Sequence, residues 1–486
     1  MKHYHSSLCR LGLPLTFAIA MLFSGWSHAA DRTWTQGGGG DFLDSSNWAD
    51  NDLPTTGDTI YFDAGTADSY TVLFHDDFQL HTGNTGRIYF QTGNKAVFKL
   101  YDDDGSYSIN SFSLQVNKGT LTLDGGVTAL NSVLTVGAGD EGGGVLKLTN
   151  GAVLNGTAST DYYRVGNTAV GTLELEQGSS ATFNKRLQIG YKAGGGGSSV
   201  SVSGGSTLAV TGTGGIYLGS SDANVSGDLP VATSDNSFSV SGGSSASTNH
   251  LYVGYKVGAN DNTVTVGGAV EGTRATLNVN GFLRVGITGA TGNSLTVQDG
   301  GELTASNLFQ VASGNTFTVE EGGKATSTDT GVNNSIRGTI AIKGGEFKAG
   351  TLQIYGVVSL EGGSFKLTNN LNTFADSRFE LTLDSDLTIQ VSGKLTASGT
   401  TYIDITSLAG GAAPGTYTLL TSTTNATGMS YFTLGNTFEG FEGALSYDAN
   451  HLYLNVTAIP EPGTIGFALL AFPLLWRACR RRAGVA

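Results

Sequence analysis

At residues 173–178 the chain reads Leu-Glu-Leu-Glu-Gln-Gly, and units like this one, with two apolar residues separated by one position and followed by a glycine turn, recur through its middle. The turn glycines Gly125, Gly151, Gly178 and Gly204 follow one another at intervals of 26, 27 and 26 residues. A nearly constant period of this length is typical of a solenoid, in which each repeat packs on its neighbours. Later units are spaced by irregular insertions and include Phe238-Ser-Val240, Leu295-Thr-Val297, Phe317-Thr-Val319, Ile340-Ala-Ile342 and Val358-Ser-Leu360.

The other half of the repeat is a short apolar segment that ends in glycine. Its copies are Val136-Gly137, Tyr163-Arg-Val165-Gly166, Leu187-Gln-Ile189-Gly190, Tyr217-Leu218-Gly219, Tyr252-Val253-Gly254 and Arg284-Val285-Gly286. Strict alternation is the periodicity of strands, because successive side chains of a strand point to opposite faces. Glycine allows the positive φ of a tight corner. The sequence therefore predicts an all-β fold, a parallel β-helix over residues 86–370 with about eleven coils and a length of roughly 50 Å.

The two ends of the predicted β-solenoid differ from its middle. Residues 31–85 contain Trp34, a run of four glycines and Trp48, and they resemble the segment that precedes autotransporter-associated β-strand repeats in bacterial surface proteins. Solenoid ends need caps that prevent further strand pairing, so we expect an N-terminal β cap here, with the tryptophans packed inside it rather than forming a sugar platform. Longer strands and wider turns predict final coils and a C-terminal β cap over residues 371–458.

The N-terminal segment, residues 1–30, has the pattern of a secretory signal peptide. Lys2 and Arg10 precede an apolar stretch, and Ser27-His28-Ala29-Ala30 follow it. A basic start, an apolar core and small residues at the end predict export, with cleavage after Ala29 or Ala30. The two cysteines of the chain, Cys9 and Cys479, both lie in the terminal segments. The body between them therefore has no disulfide, cysteine nucleophile or cysteine metal site.

The C-terminal segment, residues 459–486, has three parts. Pro460-Glu461-Pro462 cannot continue a helix or a central strand, because proline lacks the backbone donor. The apolar run 464–476 predicts a membrane-seeking helix, and a basic stop that is expected to stay on the cytoplasmic side follows it. The basic stop comprises Arg477, Arg480, Arg481 and Arg482.

In this order and position the three parts resemble the PEP-CTERM sorting signal of bacteria that produce exopolysaccharide. The resemblance implies that a membrane-embedded exosortase cuts the chain near Pro460-Glu461-Pro462. It also implies that the protein is a substrate of that enzyme and associates with the membrane transiently, through its tail.

The chain is acidic, with a formal net charge of −14. Without the terminal segments, 20 basic and 39 acidic residues remain, a net charge of −19. This charge argues against nucleic acid and anionic membranes as partners. It is compatible with neutral glycans, which makes extracellular polysaccharide a candidate partner, and with divalent cations.

Four groups of residues are candidates for chemistry, and each has a simpler structural interpretation. Asp102-Asp103-Asp104-Gly105 can bind calcium but lacks the EF-hand spacing, and acidic residues before glycine also form turns. His75-Asp76-Asp77 has no second histidine at ligand spacing, which favours a solvated loop. Asp384 and Asp386 share one face of a strand, as a glycosidase pair would, but an exposed face is favoured. His250 precedes a strand and is interpreted as a corner residue rather than a base.

Tyrosines recur at or beside the glycine-ended strands: Tyr162, Tyr163, Tyr191, Tyr217, Tyr252 and Tyr255. An outward row of tyrosines can stack on sugars, but stacking between coils that stabilises the rod is favoured. The repeats show no concentration of Arg, Lys and Asp on one coil face, as cleavage of an acidic polysaccharide requires. We therefore predict no catalytic residues, no metal site and no cofactor.

These features predict an exported structural or adhesive protein of the cell surface or of an exopolysaccharide matrix such as a biofilm. Two other classes stay open. A lyase or hydrolase acting on polysaccharide requires acidic and basic residues that converge on one concave face. A glycan-binding protein without turnover requires an exposed aromatic row.

Overall fold

The structure, a computed structural model, describes residues 29–458 apart from short gaps. The gaps are residues 64–68, 81–84, 92, 103–104, 140–141, 159–161, 221–231, 332–333, 384–388, 409–413, 425 and 437–440. The chain is nearly all β, with 54% strand and 3% helix. In the described part the helical residues form four short 3-10 turns: Ser45–Asn47, Ala49–Asn51, Ala193–Gly195 and Met429–Tyr431.

Three long sheets make up the body, and strands from successive coils are neighbours in each sheet. Sheet 1 has 15 strands: Asp31–Trp34, Thr59–Phe62, Arg87–Phe90, Ser113–Val116, Leu134–Val136, Tyr163–Val165, Leu187–Ile189, Ile216–Leu218, Leu251–Val253, Leu283–Val285, Phe309–Val311, Ser335–Ile336, Leu352–Ile354, Leu371–Thr373 and Leu395–Ala397. Sheet 2 has 16: Gly40–Asp41, Ser69–Leu73, Lys95–Lys99, Gly119–Asp124, Gly144–Thr149, Gly171–Leu175, Ser199–Val202, Ser237–Ser241, Thr263–Gly267, Ser294–Val297, Thr316–Glu320, Thr339–Lys343, Val357–Leu360, Ser377–Leu383, Thr401–Leu408 and Phe432–Leu434. Sheet 3 also has 16: Phe78–Gln79, Ser108–Ser111, Val127–Leu130, Val153–Gly156, Ser180–Phe183, Thr207–Val210, Ser245–Thr248, Ala275–Val279, Gly301–Ala305, Lys324–Ser327, Glu346–Ala349, Ser364–Leu367, Ile389–Val391, Gly415–Ser422, His451–Ala458 and, at its edge, Phe441–Tyr447.

Each regular coil passes through sheet 1, sheet 2 and sheet 3 in that order and then returns to sheet 1. The parallel β-helix expected from the sequence is therefore the architecture of the described body. Between residues 86 and 370 each sheet contains eleven strands of the described chain, in agreement with the expected eleven coils. The sequence pattern revealed two strands per coil, and the structure adds the third, in sheet 3.

Parallel register places equivalent side chains of successive coils above one another. Leu173 pairs with Val200 and Leu175 with Val202, and all four are at most 1% exposed. The alternate positions on these strands face outward. Burial of one apolar row per strand, repeated in three sheets, forms a core that is continuous along the rod.

The N-terminal coils are built around aromatic rings. Trp34 and Trp48 are 0% and 2% exposed, and their ring centroids lie 5.2 Å apart in an edge-to-face arrangement. Trp34 donates its ring N–H to the Gln36 carbonyl oxygen at 2.8 Å, and Trp48 donates to the Phe42 carbonyl oxygen at 2.9 Å. The tryptophans thus pack inside the first coils, as expected from the sequence.

The C-terminal end changes the direction of pairing. His451–Ala458 pairs antiparallel with Gly415–Ser422, and Phe441–Tyr447 pairs antiparallel with His451–Ala458. Both the N-terminal and the C-terminal coils belong to the same three sheets as the middle of the chain. The domain boundaries at 85/86 and 370/371 therefore stay predictions.

Two corners of the coil carry glycine at positive φ. The first corner follows sheet 1 and contains Gly137, Gly166, Gly190, Gly219, Gly254 and Gly286, with φ between 69° and 80°. The second corner follows sheet 2 and includes Gly151, Gly178 and Gly205, with φ between 72° and 75°. Glycine adopts this conformation without the steric cost that a side chain adds.

A buried ladder of asparagines lies against the first corner. It consists of Asn236, Asn262, Asn293 and Asn315, each at most 2% exposed. Each of the first three side chains donates an amide hydrogen to the carbonyl oxygen of the next, at 2.8, 2.9 and 2.8 Å. Each of those oxygens also accepts the backbone N–H of the preceding asparagine, at 3.1, 3.0 and 3.0 Å. The ladder satisfies polar groups that the coil stack buries.

The terminal segments lie largely outside the described residues. This applies to residues 1–28 of the predicted signal peptide and to the whole predicted sorting signal. The latter includes the predicted membrane-seeking helix, Pro460, Glu461, Pro462, Arg477, Arg480, Arg481 and Arg482. Within the part of the chain that is described, no helix has the length and apolar character needed to cross a membrane.

Candidate functional site

The outward face of sheet 1 carries an unusual column of side chains. The central residues of successive strands are in register, so that Arg164 is followed by Gln188, Tyr217, Tyr252 and Arg284. Neighbouring strands lie about 4.8 Å apart, so this column extends over roughly 19 Å along the rod. Residues from the flanking corners join it, and we call the whole set the tyrosine–arginine strip: Tyr162, Arg164, Arg186, Gln188, Tyr191, Tyr217, Tyr252, Tyr255 and Arg284.

The tyrosines of the strip pack on one another between coils. Tyr217 and Tyr252 stack with ring centroids 4.7 Å apart, and Tyr255 meets the two rings edge-on at 4.6 and 5.0 Å. Tyr217 and Tyr252 are only 5% and 8% exposed. Burial raises the pKa of Tyr217 to about 12, although the positive charge of Arg186 opposes the shift. These two rings support the coil stack, as predicted, and do not form an open sugar platform.

The arginines of the strip cover the tyrosine rings. The Arg164 guanidinium lies 4.3 Å from the Tyr191 ring centroid, and that of Arg186 lies 4.2 Å from the Tyr217 ring. Arg284 lies 5.7 Å from Tyr252 and 5.5 Å from Phe282. A guanidinium that rests on a ring uses its flat face, so its N–H donors still point outward within its plane.

Several donors of the strip lack a partner. Gln188 is fully buried, and its amide nitrogen, like the Nε atoms of Arg186 and Arg284, makes no hydrogen bond within the described structure. The Gln188 side-chain oxygen accepts from Arg164 Nε at 3.4 Å. Buried donors without partners cost stability and are rare in folded proteins. These three nitrogen atoms are themselves buried, so a ligand on the outer face of sheet 1 does not reach them directly.

The strip continues into an open groove at its C-terminal end, which we call the distal groove. Its volume is about 540 Å³, and Phe282, Arg284, Gln310, Ser335, Arg337 and Gln353 form much of its lining. The Arg337 guanidinium lies 4.4 Å from the Tyr355 ring, and Tyr355 stacks on Phe374 at 4.1 Å. One carboxylate, that of Asp329, also reaches the groove and accepts a hydrogen bond from Gly331 N–H at 2.8 Å.

The arginine face differs from the sequence-based prediction. We expected no concentration of Arg, Lys and Asp on one coil face, yet Arg164, Arg186, Arg284 and Arg337 share the outer side of sheet 1. The signal was present in the repeat, since Arg164-Val-Gly166 and Arg284-Val-Gly286 occupy the same repeat position. A second difference concerns Tyr163, which points inward, is fully buried and donates to Asn184 Oδ1 at 2.9 Å.

His250 lies at the corner before sheet 1, as predicted. Its Nδ1 accepts the Phe282 backbone N–H at 2.9 Å, and its ring stacks on that of Phe282 at 4.8 Å. Burial and the nearby Arg284 charge lower the pKa of His250. The neutral His250 ring accepts a hydrogen bond at Nδ1 and so links two coils. Because Nδ1 already has this partner, it is not available to act as a base.

The other candidate residues are dispersed. His75 is exposed, with its ring 3.8 Å from an Asp41 carboxylate oxygen, and Asp77 accepts from the Ser108 N–H and hydroxyl at 2.8 and 2.9 Å. Asp102 pairs with Gly105 in a small hairpin, while Asp103, Asp104, Asp384 and Asp386 lie outside the described residues. Among the residues that the structure does describe, no cluster of three or more His, Cys, Asp or Glu is arranged to hold a metal ion.

The predicted signal-peptide cleavage site lies at the edge of the described chain. Ala29 is exposed and Ala30 half-buried, and the Ala30 N–H donates to Asp58 Oδ1 at 2.8 Å.

The chain was also compared with known proteins. No model of a known protein family matches it, and a search of curated proteins finds no significant match.

Proposed function

We propose that this protein is an exported, non-enzymatic rod of the cell surface or of an exopolysaccharide matrix. One observation carries the proposal: three sheets of 15, 16 and 16 strands run the length of the described body. A stack of this kind, in which each coil contacts its neighbours, forms an extended and stiff element. Such an element suits a spacer, an adhesin or a matrix component better than a compact globule does.

The proposal includes processing of the tail. Pro460-Glu461-Pro462 begins two residues after the end of the last strand, His451–Ala458. A proline-flanked glutamate does not extend the sheet, because neither proline has an N–H to donate. In this proposal an exosortase at the membrane cuts near these residues, and cleavage there releases the rod from its transient anchor.

Cell fractionation of the producing bacterium tests this proposal. Replacement of Pro460, Glu461 and Pro462 by alanine should leave export intact but retain the uncut protein in the membrane fraction. Alanines at Gly463, Thr464 and Ile465 form the matched control and should permit cleavage. Deletion of Arg480, Arg481 and Arg482 should weaken membrane retention. Mature protein from unmodified cells that still ends at Ala486 would refute the sorting part of the proposal.

A second candidate function, glycan binding without turnover, is favoured by the tyrosine–arginine strip and the distal groove. Guanidinium, amide and hydroxyl donors stand there beside aromatic rings. Lyase or hydrolase activity on polysaccharide is the remaining alternative, and the binding experiment below separates it by its products.

A further inference from the structure

We propose that the distal groove, together with the adjoining part of the tyrosine–arginine strip, binds a linear acidic polysaccharide that runs along the rod axis. The inference rests on the proposed matrix function and names a site and a ligand class for it.

The charge distribution argues for an acidic ligand. The body carries a net charge of −19, yet Arg186, Arg284 and Arg337 lie on one face and make no ion pair within the described structure. Guanidinium groups bind carboxylates through paired hydrogen bonds in a fixed geometry. A local basic face on an otherwise acidic rod attracts an acidic chain to this face.

The arrangement of the donors argues for a linear ligand. Arg284 lies in the strand Leu283–Val285, and Arg337 follows the strand Ser335–Ile336, two positions further along sheet 1. At about 4.8 Å per strand, the two arginines are roughly 10 Å apart along the axis. Successive acidic groups of a polymer that crosses the strands can therefore meet them in turn.

The lining of the groove argues for a sugar. Gln310, Ser335 and Gln353 supply amide and hydroxyl groups, which hydrogen-bond to hydroxyls. Phe282 and Tyr355 are half-exposed, but their faces are taken by His250 and Arg284 and by Phe374 and Arg337 respectively. The polar groups, rather than a free ring face, therefore carry the argument for a sugar. Nucleic acid also carries negative charge, but the groove supplies amide and hydroxyl groups suited to sugar hydroxyls, and a single-stranded oligonucleotide serves as the competing probe in the test below.

Binding by the purified full-length chain in non-ionic detergent tests the inference, with polygalacturonate as the acidic probe and dextran as the neutral one. Arg284→Gln combined with Arg337→Gln removes two charges from the groove. Lys348→Gln combined with Lys366→Gln is the matched control, because these exposed lysines pair in adjacent coils on the outer face of sheet 3. Thermal unfolding of each variant reports whether the rod stays folded.

We expect polygalacturonate to bind and dextran not to bind. The arginine pair variant should lose at least about tenfold in affinity, and the lysine pair variant far less. Arg284→Lys with Arg337→Lys should bind with intermediate affinity, because the charge stays but the planar fork is lost. Added salt should weaken binding by the unaltered chain.

Four results would overturn the inference. They are equal loss of affinity in the arginine and lysine variants, equal binding of dextran, tighter binding of a single-stranded oligonucleotide, and self-association that the arginine change abolishes. Release of shortened polygalacturonate chains would overturn binding without turnover. None of these results depends on the C-terminal tail. A negative binding experiment therefore does not affect the fractionation experiment, and a negative fractionation experiment does not affect the binding experiment.

A second, independent observation concerns the N terminus: we infer that export removes the chain up to Ala29 and leaves Ala30 as the first residue. Hydrolysis of the Ala29–Ala30 peptide bond by water leaves a carboxylate on Ala29 and an ammonium group on Ala30. In the fold, the Ala30 nitrogen already contacts Asp58 Oδ1 at 2.8 Å, and the Ala30 carbonyl oxygen accepts from Thr59 N–H at 2.8 Å. Asp58 is only 2% exposed, so a new positive charge there has a buried carboxylate as its partner.

Mass measurement of the exported protein's N-terminal peptide tests this inference. Ala30 as the first residue supports it, and Asp31 or Met1 overturns it. Asp58→Asn should lower the melting temperature of the exported protein, because the ammonium group and Arg32 lose their buried partner. Asp52→Asn is the control, since its side chain is 64% exposed and should change little. Equal effects of the two substitutions would also contradict the inferred pairing.

Discussion

The first and second corners of the coil carry the same residue for different reasons. At the first corner a Cβ on Gly190, Gly254 or Gly286 would collide with the side chain of Asn236, Asn293 or Asn315 respectively. At the second corner a Cβ on Gly151, Gly178 or Gly205 would meet nothing within 4 Å. Positive φ occurs at all six positions, but only the three at the first corner also require space. Other second-corner glycines, such as Gly126 and Gly300, are enclosed by neighbouring atoms. The regular spacing of glycines in the sequence therefore indicates where the corners lie, but it does not indicate at which corners neighbouring atoms leave no room for a side chain.

The largest expected effect is at the first corner. Gly254→Ala should lower the free energy of unfolding by about 3–5 kcal/mol, because strain at positive φ adds to displacement of Asn293 from the ladder. Gly258→Ala is the matched control in the same connection, since its φ is 79° and its nearest neighbour is the Ala232 Cβ at 3.6 Å. It should cost about 1–2 kcal/mol. Urea unfolding measures both, and equal costs would mean that the first corner is not packed as described.

Replacement of the asparagine that contacts Gly254 should have the next largest effect on the free energy of unfolding. Asn293→Ala removes the acceptor of Asn262 N–H and the donor to Asn315, so it should cost about 2–4 kcal/mol. Asn278→Ala, at an exposed position of sheet 3, should stay within about 0.5 kcal/mol.

Combining the two changes sharpens the comparison. Gly254→Ala with Asn293→Ala should cost less than the sum of the single changes, because the alanine methyl group then occupies vacated space. Strict additivity in urea unfolding would contradict direct contact between the two positions.

The smallest effect is expected at the second corner. Gly178→Val should cost roughly 1–3 kcal/mol, from strain alone, since a β-branched residue is disfavoured at positive φ. Gly178→Asn should cost less, because asparagine tolerates this conformation. Asn150 and Gln177 already adopt φ of 52° and 53° beside these turns. Unchanged melting temperatures for Gly178→Val and Gly204→Val would show that these glycines are not needed as corners.

Sheet 3 shows why part of the fold could not be predicted from the repeat. Its inward positions include Gly156, Thr248 and Ser327, so the apolar alternation that revealed the other two strands is weak. Gly156 is tolerated because the inward ring of Tyr163 fills the space that its side chain would take. A large side chain on one strand that fills the space beside a small residue on another is a property of packing. It produces no regular apolar pattern within the sequence of either strand.

The candidate site was only partly predictable for a related reason. The tyrosines were visible as a recurring position, and their stacking followed from strand spacing. The arginines come from different positions of the repeat, Arg164 and Arg284 within strands and Arg186 and Arg337 beside them. The net charge is an average over the whole chain, so it concealed a basic face on an acidic rod.

The sequence by itself determined the strand period, the glycine corners and the number of coils between residues 86 and 370, because these depend on local alternation and backbone conformation. It also supplied the proposals for both termini. Tertiary structure alone decided which glycines are enclosed, that four asparagines form one ladder, that Tyr163 points inward and that four arginines share a face. The ladder joins residues 22 to 31 positions apart through register between coils, and register is fixed by the packing of the core as a whole.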